Sequence, residues 1–190
     1  MMTSSVFLRL RTWYIAPMSN RIPLAARILK VNHAGEHGAV SIYAGQILMA
    51  RLTAKGLVAQ LESFKSHEER HRAIFLAELT GRGVRRCRSY WLCAIGGYGL
   101  GVLTGLLGAR AIAQTTVAVE RVVLRHLQQQ MVQLKDDAEA LAAIVAIIGE
   151  EQEHHDLAAG HVKAGGPLAR LLETTVSAAT ESVIWLGMRI

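Results

Sequence analysis

Two Glu-x-x-His pairs, Glu68/His71 and Glu151/His154, fall in separate helix-patterned stretches, and two lone glutamates, Glu36 and Glu120, interrupt otherwise apolar runs. A charge on an apolar helix face must find a partner once that face is buried. Residues three apart share one face of a helix, with Cβ atoms about 5–6 Å apart, so each pair presents a carboxylate and an imidazole toward one point. Two helices that each give a Glu, and two that each give a Glu-x-x-His, supply the ligand inventory of a carboxylate-bridged di-metal site inside a four-helix bundle. The set therefore constrains the chain to helices that pack with these faces inward.

The settings of the pairs favour this over a solvated helix face. His67-Glu68-Glu69-Arg70-His71 lies inside an apolar periodic segment, and Glu150-Glu151-Gln152-Glu153-His154-His155-Asp156 follows directly on Ile144-Val145-Ala146-Ile147-Ile148. Carboxylates that dense repel one another unless cations neutralise them. Residues 67–71 also read H-E-x-x-H, a spacing in which both histidines bind zinc and the Glu serves as general base. A zinc hydrolase needs one such motif and a third ligand. That alternative leaves the second pair, Glu36 and Glu120 without a role.

A chain of 190 residues is one domain with a sizeable core. With 51% apolar residues and three prolines it reads as all-helical. The pattern predicts a first helix from about Pro23 to Arg51, a turn at Thr53 to Gly56, and a second helix from about Leu57 to Leu79 stopped by Gly81 and Gly83. A basic loop then reaches Arg88, and an apolar helix continues to about Leu134 with a bend near Gly108. Asp136 and Asp137 are N-cap residues for a fourth helix that ends before Gly165-Gly166-Pro167, and an amphipathic helix from Leu168 to Met188 closes the chain. Cys87 and Cys93 have neither a zinc nor a redox spacing, so free thiols in a reducing compartment are expected.

The net charge of +6 is unevenly placed, with Arg82, Arg85, Arg86 and Arg88 clustered and no acid in residues 1–35. Such clusters suit an anionic surface. No aromatics interleave with them as a base-stacking platform requires, so nucleic acid is not the expected partner. A membrane surface fits better, because Arg88 precedes the longest uncharged apolar run, Ser89 to Ala109, which Arg110 closes. That run is long enough to span a bilayer, yet its Gly97/Gly101/Gly105 steps favour close helix packing. Interfacial attachment, a span and a plain buried helix remain open. Residues 1–17 carry Arg9 and Arg11 without an apolar h-region, so they form a transit peptide or an extension ahead of a start at Met18, not a secretory signal. In either case they are expected to be dispensable for the chemistry. No G-x-G-x-x-G dinucleotide fingerprint occurs.

Four blocks, taken in order, resemble the di-iron demethoxyubiquinone hydroxylases of ubiquinone biosynthesis. They are Val31-Asn32-His33-Ala34-Gly35-Glu36-His37-Gly38-Ala39 with Ile42-Tyr43-Ala44-Gly45-Gln46, then Glu68-Glu69-Arg70-His71, then Thr116-Val117-Ala118-Val119-Glu120, and last Glu150 to Asp156. The resemblance implies a ferritin-like four-helix bundle over residues 21–190, behind an extension of residues 1–20, with an added apolar helix for membrane attachment. By it, Glu36, Glu68, His71, Glu120, Glu151 and His154 are ligands of two Fe ions and form the catalytic centre. It further implies an O2-dependent monooxygenase that hydroxylates the ring of 3-demethoxyubiquinone or its quinol. Electrons then come from a quinol, NADH or an external reductase. A lipid-binding accessory protein of ubiquinone biosynthesis or a second copy of the chain is the further partner implied. The expected location is the cytoplasmic face of a bacterial inner membrane or the matrix face of the mitochondrial one. His37 departs from the family, where many members carry Tyr, and so does Leu127 after His126; both bear on the electron route. A non-catalytic ferritin-like protein that binds iron or handles peroxide at a membrane shares every ligand and stands as the alternative. His33, His126 and His155 are outer partners to consider, and Tyr43 reads as pocket wall or ordinary core. His161, Glu139, Glu173 and Glu181 read as surface groups.

Overall fold

A computed structural model describes residues 22–162 and 166–190; the extension expected at residues 1–17 lies outside them. The chain forms α1 (Leu24–Thr53), a single 3-10 turn (Lys55–Leu57), α2 (Val58–Gly81), α3 (Tyr90–Leu106), α4 (Ala109–Gln133), α5 (Ala138–Ala159) and α6 (Pro167–Gly187), with no strand among the described residues.

Helices α1, α2, α4 and α5 form the bundle, and two apolar clusters close its ends. One joins Ile28 and Leu29 of α1 to Phe75 and Leu79 of α2, Leu127 of α4, and Ile144 and Ile147 of α5. The other joins Tyr43, Ile47 and Ala50 of α1 to Leu61 and Phe64 of α2 and Ile112 of α4. These pairings also give the directions: α2 runs against α1, whereas α2 and α4 run the same way. Two parallel helices cannot be joined by a tight turn, so the chain must travel back along the bundle between them. Helix α3 is that crossover.

It lies against α1 in close contact, and its glycines explain how. A Cβ at Gly97 would sit 2.4 Å from the Gly38 carbonyl oxygen, and one at Gly101 would sit 2.1 Å from that of Ile42. Gln46 Nε2 donates to Thr104 Oγ1 at 3.2 Å, and Thr53 Oγ1 donates to the Gly105 carbonyl at 2.6 Å. The expected small-residue stripe is thus used within the chain.

The long helix expected from Ser89 to Leu134 is two helices, because the bend near Gly108 is a complete reversal. Gly108 adopts φ +87°, a conformation open to glycine and strained for other residues. The reversal lets the glycine stripe of α3 face α1 while the apolar stripe of α4 faces the bundle interior, which one straight helix could not do. It also ends the apolar run early: no helix among the described residues is long and apolar enough to cross a membrane.

Asp137 caps α5 by accepting from the Ala140 N–H at 3.1 Å, and Arg82 at the end of α2 donates to both of its oxygens at 2.7 and 2.8 Å. Asp137→Ala should lower stability by about 1 kcal/mol at neutral pH, as loss of an N-cap generally does. The Arg82 hydrogen bonds hold the Asp137 carboxyl below its ordinary 3.8. Its contribution is therefore present above that value and lost as pH falls through the folded one. Melting curves of parent and variant should converge in acid.

Candidate metal centre

The six expected residues come together midway between the two apolar clusters. Glu36 comes from α1, Glu68 and His71 from α2, Glu120 from α4, and Glu151 and His154 from α5. Each is buried, the most open being Glu36 at 7% exposure. Glu36, Glu68, His71 and Glu151 each offer a ligand atom within 4.8 Å of the others, and so do Glu68, Glu120, Glu151 and His154. Glu68 and Glu151 belong to both groups. The arrangement is therefore two adjacent positions that share two carboxylates, one from each Glu-x-x-His pair.

The pairs also cross. His71 Nδ1 lies 2.9 Å from Glu151 Oε1, and His154 Nδ1 lies 3.1 Å from Glu68 Oε1. Four carboxylates in so dry a place cannot all ionise without cations. Burial, reinforced by Glu68 and Glu151, pushes Glu36 and Glu120 well above the ordinary carboxylate range. Burial opposes ionisation of Glu68 as well, but its contacts with His154, His71 and Glu36 prevail and hold it below that range. At His71 burial is likewise outweighed, here by Glu151 and Glu68, and the imidazole is pushed up to about 10. Protons on Glu36, Glu120 and His71 thus offset the crowding of carboxylates.

The residues fit a metal. Glu68 Oε1 and His154 Nδ1 are wholly buried without a hydrogen-bond partner, although they face each other. Such orphans cost about 1–3 kcal/mol each unless something ligates them. A set of four carboxylates and two imidazoles, rich in oxygen and free of thiolate, matches non-heme iron better than a structural zinc.

Tyr43 is more than core packing. Its hydroxyl donates to Glu120 Oε1 at 2.9 Å, and burial next to Glu120 keeps the phenol protonated far beyond its ordinary 10. The histidines weighed as outer partners are elsewhere. His33 stacks on Tyr90 at 4.9 Å, His126 meets Glu181 at 2.9 Å, and His155 turns outward to Asp156. Two residues not expected as outer partners take that role: Glu150 Oε2 lies 2.7 Å from His71 Nε2, and His67 Nδ1 lies 3.0 Å from His154 Nε2. Each immediately precedes the Glu of its motif, a signal common to both pairs. His67 belongs to neither ligand group, so His67 and His71 do not converge on one ion as a zinc hydrolase needs.

Beside the cluster is an apolar cavity of about 310 Å³. Glu36, Glu68, Glu120 and Glu151 line it, together with Leu92 and Leu100 of α3 and Val183 and Ile184 of α6.

The profile of the family described as Ubiquinone biosynthesis protein COQ7 matches residues 23–187. The chain belongs to this family. The match takes in the whole bundle and all six buried ligand candidates. Among its relatives is the NADPH-dependent 3-demethoxyubiquinone 3-hydroxylase, mitochondrial, of Dictyostelium discoideum, 32% identical over 168 residues, which are 86% of this chain and 76% of that one. The 3-demethoxyubiquinol 3-hydroxylase of Rhodospirillum rubrum is 33% identical over 169 residues, 88% of this chain and 79% of its own. The Rattus norvegicus protein, named as the Dictyostelium one is, is 33% identical over 168 residues, 86% and 76% of the two chains. Bacterial and mitochondrial members thus each align with at least 86% of this chain.

Proposed function

We propose that this chain hydroxylates the ring of a 3-demethoxyubiquinone or its quinol with O2, at two irons held by Glu36, Glu68, His71, Glu120, Glu151 and His154. The observation that carries this reading is the apolar cavity with carboxylates of the cluster in its lining. A ferritin-like iron store has no use for such a cavity. Bound at the six residues, iron supplies the reductive activation of O2.

The protein's own groups do the rest. The cavity holds the ring and the first isoprenoid units against the carboxylates, and the apolar clusters at both ends of the bundle keep water out. Tyr43 fixes one oxygen of Glu120, so that carboxylate has a set orientation. The long tail leaves between α3 and α6. Helix α3 carries outward-facing Trp91, Leu92, Ile95, Leu103 and Leu106, all exposed, with Arg86 stacked over Tyr90 and Trp91 at its start. That face rests on the membrane that holds the substrate, on the cytoplasmic side in a bacterium or the matrix side in a mitochondrion.

Several relatives are named NADPH-dependent. Since no dinucleotide fingerprint is present, electrons reach this chain from a reduced nicotinamide without a Rossmann site, from an external reductase, or from the quinol itself. A lipid-binding accessory protein or a second copy of the chain remains a further partner.

The test is direct. The chain is loaded anaerobically with ferrous iron, then given O2, a reductant and a demethoxyquinol in detergent or vesicles. Mass spectrometry should find product heavier by one oxygen atom that comes from labelled O2. Consumption of iron and O2 with the quinone unchanged would favour the iron-handling alternative.

A further inference from the structure

We propose that Glu150, steadied by Arg70, is a positioning residue for His71, and that it makes the two metal positions unequal, the tighter being the one built by Glu36 and His71. The inference rests on the two-metal reading above. In donor count the two positions are alike: each has the shared Glu68 and Glu151, one further Glu and one His. The difference lies behind those donors.

Behind His71 stands a carboxylate. Glu150 Oε2 is 2.7 Å from His71 Nε2, and its other oxygen takes a hydrogen bond from Arg70 Nη2 at 2.6 Å. The guanidinium holds the carboxylate in one rotation and leaves the second oxygen for the imidazole. Since Nδ1 of His71 faces the cluster, Nε2 carries the proton and donates it to Glu150. A charged acceptor on the far side fixes the ring and makes Nδ1 a stronger donor toward a cation.

Behind His154 stands another imidazole, His67, whose Nδ1 is 3.9 Å from Glu150 Oε2, beyond hydrogen-bond reach. His154 Nε2 is 3.0 Å from His67 Nδ1, and the two imidazoles stack with centroids 5.2 Å apart. With Nδ1 of His154 facing the cluster, its Nε2–H donates to His67, which orients the ring with no carboxylate directly behind it. A second asymmetry points the same way. Glu120, the unshared carboxylate of this position, gives part of its electron density to the Tyr43 hydroxyl. Glu36 has no such donor among the described residues.

The experiment is an anaerobic titration of the full chain with ferrous iron, and in parallel with cobalt(II) read by visible absorption. The parent should bind two ions in two resolved steps, and at one iron per chain Mössbauer spectra should show mainly one of two distinct doublets. Glu150→Ala should weaken the first step by roughly 10–100-fold, the range seen when such outer partners are removed, and leave the second nearly unchanged. Glu150→Gln keeps an acceptor but not the charge, so it should fall between. His67→Phe should weaken the second step instead. Melting of the metal-free variants separates this from general unfolding: a merely structural Glu150 lowers the midpoint and weakens both steps together, which would overturn the proposal. Two equal steps in the parent would overturn it too, while leaving the two-metal reading in place. A parent that binds no ion, or one only, would fail that reading itself and take this inference with it.

Discussion

Glu120→Ala and His154→Ala should each lower bound iron at one of the two proposed positions and cut hydroxylation by on the order of 10³-fold or more, because a metal held there would supply several kcal/mol of charge stabilisation that the protein cannot replace. Both residues belong to the same ligand group, so the ion at the Glu36/His71 position should remain; Glu151→Ala removes a shared carboxylate and should leave none. Iron per chain, measured after desalting, and product formed are the two readouts. Retention of two irons in either single variant would sink the assignment. Stability makes an independent check. Glu120 is raised well above 4.5 in the metal-free fold by burial first and then by Glu151 and Glu68, so it keeps a proton that the unfolded chain releases. Such a group weakens the fold as pH rises above 4.5. His71 acts in the same direction, since a pKa raised from 6.5 to about 10 gives stability that is complete below 6.5 and lost as pH rises through 10. The metal-free chain should thus become less stable toward alkaline pH, and bound iron should reverse this. Glu120→Gln, neutral and of nearly equal shape, should stabilise the metal-free chain while losing most of the gain that iron gives the parent. A purely structural cluster, in which Tyr43 donates equally well to the amide oxygen, predicts no such loss of the gain from iron.

The buried cluster was legible because a glutamate inside an apolar helical run is costly and therefore conspicuous. Glu36, Glu68, Glu120 and Glu151 needed no more than their neighbours to be noticed. Their outer partners were not, since those contacts run across helices. Glu150 sits beside Glu151 yet serves His71 of α2, and His67 sits beside Glu68 yet serves His154 of α5. Nearness in sequence misled in the other direction: His155 follows His154, but one residue along a helix turns the side chain by about 100°, and it faces outward. Helix ends were readable where a glycine or a capping Asp marks them, as at Gly81 and Asp137. The break at Gly108 was placed but not its extent, because a glycine in an uncharged apolar run does not reveal whether it bends one helix or takes φ +87° and reverses the chain. Only the packing of α3 against α1 decides it.

Binding of the chain to anionic vesicles should survive high salt and fail when Ile95, Leu103 and Leu106 become Gln. The apolar run was the feature that left attachment, a span and a buried helix undecided, and the fold changes the terms. Helix α3 turns its glycines to α1 and leaves Ile95 at 73% exposure and Leu103 and Leu106 at 55% each, on the opposite face. None of the three lines the cavity beside the carboxylates, so replacing them spares the site. Apolar side chains of this size gain about 1.5–3 kcal/mol each when fully buried, and the portion still exposed here suggests about 4 kcal/mol for the three, on the order of a thousandfold in partitioning. Arg85, Arg86, Arg88 and Arg110 at the ends of the run add attraction to anionic headgroups, but at about 1 M salt the screening length falls to about 3 Å and that part is lost. Co-sedimentation with vesicles at low and high salt separates the two contributions. The triple variant should release the protein at both salts, keep its iron and its melting midpoint, and lose activity on a long-tailed demethoxyquinol in vesicles while retaining it on a short-tailed one in solution. Release of the parent by salt alone would show that the arginines hold it, and the route between α3 and α6 proposed for a membrane-dissolved substrate would lose its support.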